Sequence, residues 1–105
     1  MLQVGNSIII NNDDIRERMA AGESDKVILT CGLKLNSTVT ASSISDCGFT
    51  FCLQRTLITL SRRAVPPQEF NVRQSGGRSL FELLSIVTAM LLCDVDTKDI
   101  EQIVF

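Results

Sequence analysis

Apolar residues gather most densely over residues 79–93, SLFELLSIVTAMLLC. Leu80, Leu83, Leu84, Val87 and Leu91 recur at the spacing of one helical face. Phe81, Ile86 and Met90 widen that face until little of the helix can stay wet. Ser79 stands where an N-cap belongs, and Glu82 follows at the capping-box distance. The run is too short, and too interrupted by Glu82, Ser85 and Thr88, to span a membrane. A helix this apolar has to be covered, and the rest of the chain must supply the cover.

Upstream the period changes to that of strands. Residues 7–10 are a β-branched run and predict a buried strand. Asn11, Asn12, Asp13 and Asp14 break it with turn and cap chemistry. Residues 15–21 read as a short amphipathic helix, stopped at Gly22. Residues 26–31, KVILTC, are nearly continuous in apolar character, which suits a strand of a parallel sheet covered on both faces. Strand, helix and strand make a βαβ-like unit, so the two strands should be parallel neighbours.

After Gly32 the pattern alternates. Residues 37–45 are rich in Ser and Thr, with Val39, Ala41 and Ile44 placed inward. Asp46, Cys47 and Gly48 make a turn. Residues 49–60 alternate through Phe49, Phe51 and Leu53, then Leu57 and Thr59 after an irregularity. Pro66 and Pro67 end that stretch, and residues 69–73 form a third alternating run. Three strands with polar turns predict an antiparallel meander. Ser75, Gly76 and Gly77 connect to the apolar helix, Asp94 to Asp96 end it, and Thr97 is placed to cap a closing helix over 98–104. Ile100, Ile103 and Val104 would share one face of that helix. The expected fold is α/β: a short parallel βαβ unit plus a small antiparallel three-stranded segment, packed against C-terminal helices in one domain over 1–105.

Composition narrows the chemistry. At 105 residues, 45% hydrophobic and 21% charged, the chain can bury a core. A net charge of −2 gives no reason to expect nucleic acid or an anionic membrane as partner. Histidine is absent, which removes the usual general base and the usual catalytic triad. Cys31, Cys47, Cys52 and Cys93 form no CxxC pair and read as buried, reduced thiols with no metal site. The stretch MLQVGNSIII lacks a basic n-region and a full apolar h-region, so no signal peptide is read and the cytoplasm is the expected compartment. Arg62 and Arg63 read as a solvated turn.

The order of strings resembles the later half of the central domain of the Mur ligase family, ATP-dependent ligases that add amino acids to UDP-N-acetylmuramoyl peptides. Ile8 to Asp14 look like the family's strand ending in Asn-x-Asp-Asp, with Ile15 at its usual proline. Val27 to Leu33 look like its strand ending in Thr-Tyr/Phe-Gly. Thr38 to Ile44 and Gly48 to Phe51 look like its antiparallel segment. Gly76 to Ser79, the apolar helix, Asp94-Val95-Asp96 and Ile100 to Phe105 look like its Gly-x-His-Asn, apolar helix, Gly-Val-Asp and closing helix. The resemblance implies ATP and magnesium as the parent family's cofactors and amide formation through an acyl phosphate as its reaction.

The departures matter as much. The chain contains no GxxxxGK[ST], the loop that wraps phosphates with backbone N–H groups. The family's histidine falls on Arg78, and its two asparagines fall on Ser79 and Glu82. Candidate cofactor-binding residues are therefore Asn11, Asp13 and Asp14 at a strand's C-terminal end, where open α/β sheets take ligands, and Ser79 and Glu82 at the helix start. Each also has a plainer reading as a cap or first-turn acid. Ser75 to Arg78 reads either as an anion site or as a connection.

No catalytic residue is assigned, and no cofactor is expected in this chain itself. The expected role is a structural or interaction module that is inactive alone. With the first strands of the resembled domain missing, an open sheet edge is expected, and it should invite self-association or a partner. A rival reading forces residues 42–60 into a helix-turn-helix template for binding DNA.

Overall fold

Three consecutive isoleucines show how the layers are arranged. Ile8, Ile9 and Ile10 are all buried, yet they point alternately to opposite faces of one strand. Ile9 joins the main core, while Ile8 and Ile10 pack with Ala21 of a helix on the other side. The computed structural model describes residues 1–22 and 25–105. In chain order its elements are β1 (Leu2–Val4), β2 (Ser7–Asn11), α1 (Ile15–Gly22), β3 (Val27–Cys31), β4 (Val39–Ser45), β5 (Gly48–Leu53), β6 (Leu57–Ile58), β7 (Ala64–Val65), β8 (Gln68–Arg73), α2 (Leu80–Leu92) and α3 (Thr97–Gln102).

Six strands form one mixed sheet in the order β1-β2-β3-β4-β5-β8, and β6 pairs with β7 in a small antiparallel sheet. β2 and β3 run parallel, from Ser7 opposite Val27 to Asn11 opposite Cys31. β4, β5 and β8 are antiparallel neighbours. The two halves meet at one parallel register pair, Cys31 opposite Val39. α2 lies over the sheet with Leu83, Leu84, Val87, Leu91 and Leu92 buried, and Glu82 is the one residue of this helix in the exposed class. Phe51 and Phe70 stack beneath it with ring centroids 4.9 Å apart. No described helix is long and apolar enough to cross a membrane.

α2 begins as its sequence requires. Ser79 is the N-cap, and its Oγ accepts from the Glu82 backbone N–H at 3.1 Å. It ends in a Schellman arrangement. The Val95 N–H donates to the Met90 carbonyl at 3.0 Å, and the Asp94 N–H to the Leu91 carbonyl at 3.1 Å. Asp94 carries the left-handed turn at φ 64°.

Several expectations are corrected. β1 was not foreseen: it turns back through Gly5, at φ 57°, and pairs antiparallel with β2. The side of β2 away from β3 is thus occupied, and β1 forms that edge of the sheet. β3 is not covered on both faces. Val27 and Ile28 are 55% and 37% exposed, because α1 has only 8 residues and packs on β2. Ile44 points outward at 52% exposure, because strict alternation puts it on the face opposite Val39 and Ala41, and the irregularity between Ser42 and Ser45, with Ser43 at φ 50°, does not return it to the core. The strand expected over 49–60 breaks after Leu53 and resumes as β6, which pairs with an unforeseen β7.

The closing helix also differs. It is capped by Asp96, whose Oδ1 accepts from the Lys98 N–H at 2.9 Å, with Thr97 as its first residue. It stops at Gln102, before Ile103 and Val104. Val104 bridges Arg73 in parallel, and the Phe105 N–H donates to the Arg73 carbonyl at 2.9 Å. Backbone pairing beside β8 takes these last residues from the helix. Finally, residues 42–60 are strand, turn and loop, so no helix-turn-helix occupies them.

Candidate functional site

The carboxyl ends of β2 and β3 carry a connected set of polar side chains. Asn11 ends β2, and its Oδ1 accepts from the Asp13 N–H at 2.9 Å. Asp14 begins α1: its Oδ1 accepts from the Arg16 N–H at 2.9 Å and its carbonyl from the Arg18 N–H at 3.1 Å. Asp13 crosses to the end of β3, where Oδ2 accepts from the Leu33 N–H at 3.2 Å. Gly32 makes that approach possible, since a Cβ there would stand 2.8 Å from Asp13 Oδ2.

The structure thus brings Asn11, Asp13 and Asp14 together at one strand end. Ser79 and Glu82 stand apart from them at the start of α2, and no hydrogen bond or ion pair joins the two sets among the described residues. All but Glu82 accept, through a side-chain oxygen, a bond from nearby backbone N–H groups; Glu82 takes part through its own N–H.

Asn12, which the sequence marks only as turn chemistry, is buried in this network at 4% exposure. Its Nδ2 donates to Asn36 Oδ1 at 2.9 Å and to Ser37 Oγ at 3.0 Å. The signal was its parity: Asn12 continues the face of Ile8 and Ile10, the face toward α1. Beside it lies a cleft of about 370 Å³ between α1 and the segment joining β3 to β4. Arg18 and Arg55 line it together with Asn12, Asn36, Thr30 and Thr38. Arg55 donates to the Asn36 carbonyl at 3.2 Å.

The four cysteines are free. Cys31 and Cys52 are buried, but Cys47 and Cys93 are exposed, which corrects the expectation that all four are buried. Cys47 sits in the β4–β5 turn and Cys93 at the cap of α2, and neither place has cover. Burial pushes the Cys31 thiol up to about 12, with the Thr88 hydroxyl pulling weakly the other way.

No family model, no curated protein and no solved structure matches this chain.

Proposed function

We propose that this chain is a non-catalytic interaction module built like the later half of a Mur ligase central domain. The observation that carries this reading is the order of elements: parallel β2-α1-β3, antiparallel β4, β5 and β8, then α2 and α3. That is the order the resemblance implies. A local detail supports it. Asp94 adopts the left-handed conformation at the position where the resembled family carries glycine, the residue that enters this conformation without penalty.

The chemistry of the parent family is ATP-driven amide formation, and its phosphate loop is not in this sequence. In this reading Asn11, Asp13, Asp14 and Ser79 serve as caps and turn acceptors, with Glu82 in the first helical turn, and none is a nucleotide ligand. The working surface is the outer edge of β1, which offers unpaired backbone groups to a second copy of the chain or to a partner. Four free thiols support a reducing compartment such as the cytoplasm.

Phosphate release from Mg-ATP, with and without a carboxylate and an amine, tests the non-catalytic part. Release at the level of buffer is expected. Release above buffer that Asp13→Asn or Glu82→Gln abolishes would overturn this reading.

A further inference from the structure

We propose that the cleft between α1 and the β3–β4 segment binds a small phosphate, free or esterified. The inference does not rest on the ligase-like reading; it follows from the charges and donors that meet there. Arg18 and Arg55 both line the cleft, and no Asp or Glu among the described residues does. In a chain of net charge −2, two arginines lining one recess with no described carboxylate in its lining leave a local positive potential.

The nearby acids among the described residues are engaged elsewhere. Asp13 holds the Leu33 N–H, Asp14 holds the Arg16 N–H, and Glu17 pairs with the Met1 amine at 2.8 Å. Arg18 makes no ion pair and no side-chain hydrogen bond among the described residues. Arg55 holds only the Asn36 carbonyl, a neutral acceptor, through one of its nitrogens. Planar guanidinium forks match the geometry of phosphate oxygens, and two arginines on one recess favour a group with three terminal oxygens over a singly charged halide.

The walls of the cleft are built rather than loose. Asn12 is 4% exposed and tied to Asn36 and Ser37, while Thr30 and Thr38 are tied to each other. The cleft also sits at the carboxyl ends of the parallel pair β2 and β3, beside their crossover helix, the place where open α/β sheets receive ligands.

Two-dimensional NMR of the whole chain, titrated with inorganic phosphate or glycerol phosphate at constant ionic strength set by chloride, tests the site. Saturable shifts are expected for both phosphates at Asn12, Thr30, Thr38 and the Arg18 and Arg55 side chains. They should saturate by roughly 10 mM, and chloride alone should not produce them. Arg18→Gln and Arg55→Gln should each weaken binding about tenfold, as loss of a charge-assisted bond does. Arg16→Gln, on the same helix but outside the cleft, should bind like the parent. Tighter binding of the ester than of free phosphate assigns the site to an esterified ligand, and equal binding assigns it to the phosphate group alone. Shifts that fail to saturate, shifts centred elsewhere, or cleft variants that bind like the parent would overturn the site.

Discussion

Thr30 and Thr38 hold each other through both side chains and backbone. The Thr38 N–H donates to Thr30 Oγ1 at 2.8 Å, and the Thr30 N–H to Thr38 Oγ1 at 3.2 Å. This exchange stands where the sheet is weakest, since β3 and β4 share only the Cys31–Val39 register pair. Two hydroxyls thus continue a ladder that the backbone abandons. Thr30→Val keeps the shape and leaves the Thr38 N–H without its acceptor, at a residue that is 5% exposed. The expected cost is about 1–3 kcal/mol by urea denaturation. Thr30→Ser, which keeps the acceptor, should lose much less. Equal losses for the two variants would show that the hydroxyl is not the cause.

Gly48 joins β4 to β5 at φ 154°, and a Cβ there would run into the Val72 carbonyl of β8. Alanine at this position has to open the β5–β8 pairing or strain the turn. Gly48→Ala should cost about 2 kcal/mol or more in chemical denaturation. Gly22→Ala is the control, because no atom of the described residues lies within 4 Å of its added Cβ. A Gly48→Ala variant as stable as the Gly22→Ala one would contradict the close approach.

Thiol chemistry separates the cysteines by cover. Cys47 and Cys93 should react with a water-soluble disulfide reagent in the native protein, while Cys31 and Cys52 should wait for unfolding. The Cys31 thiol also makes stability depend on alkaline pH. Its folded value of about 12 lies above the ordinary 9.0, so the folded state keeps a proton that the unfolded state loses. Its contribution is whole below pH 9.0 and disappears as pH rises toward about 12. The slope should be at most about 1.4 kcal/mol per pH unit, and Cys31→Ala should flatten it.

Asp94 acts at the other end of the pH scale. Hydrogen bonds from Thr59 and Ser61, helped least by Arg63, hold its carboxyl below the ordinary 3.8. Ser61 Oγ donates to Asp94 Oδ1 at 2.8 Å. With a lowered folded value the contribution is present above pH 3.8 and is lost as pH falls below it. Asp94→Asn keeps the tolerance for the left-handed turn and removes the charge, so acid unfolding of that variant should lose part of its pH dependence. An unchanged acid titration would count against this carboxylate.

What could be read in advance follows from how much chain each element contains. α2 has 13 residues, enough for its spacing to repeat, and its N-cap sits where Ser79 predicts. β2, α1 and β3 were legible because Ile8 to Ile10 and Val27 to Cys31 are separated by cap and stop residues. β1, at 3 residues, and β6 and β7, at 2 each, are too short to show any period. Ile44 lies outward because the alternation set by Val39 and Ala41 already assigns it the outer face, and placing it inward requires a parity break that the irregularity in β4 does not supply. Ile103 and Val104 fit the helical face, but pairing with β8 won, a tertiary effect that spacing cannot express. At the candidate site Asn11, Asp13 and Asp14 were visible as a polar cluster. Asn12 and Arg55 were not, because their places depend on which segments fold over the α1 face.

The edge of the sheet offers the most direct test of the interaction role. Light scattering after size-exclusion chromatography, across a wide range of loading concentration, reads the mass of the particle against the 11.6 kDa chain. A mass that rises with concentration is expected, and Gln3→Pro, which removes a donor from β1, should return it to that of one chain. A constant 11.6 kDa at every concentration, shared by the parent and the Gln3→Pro variant, would contradict self-association through this edge.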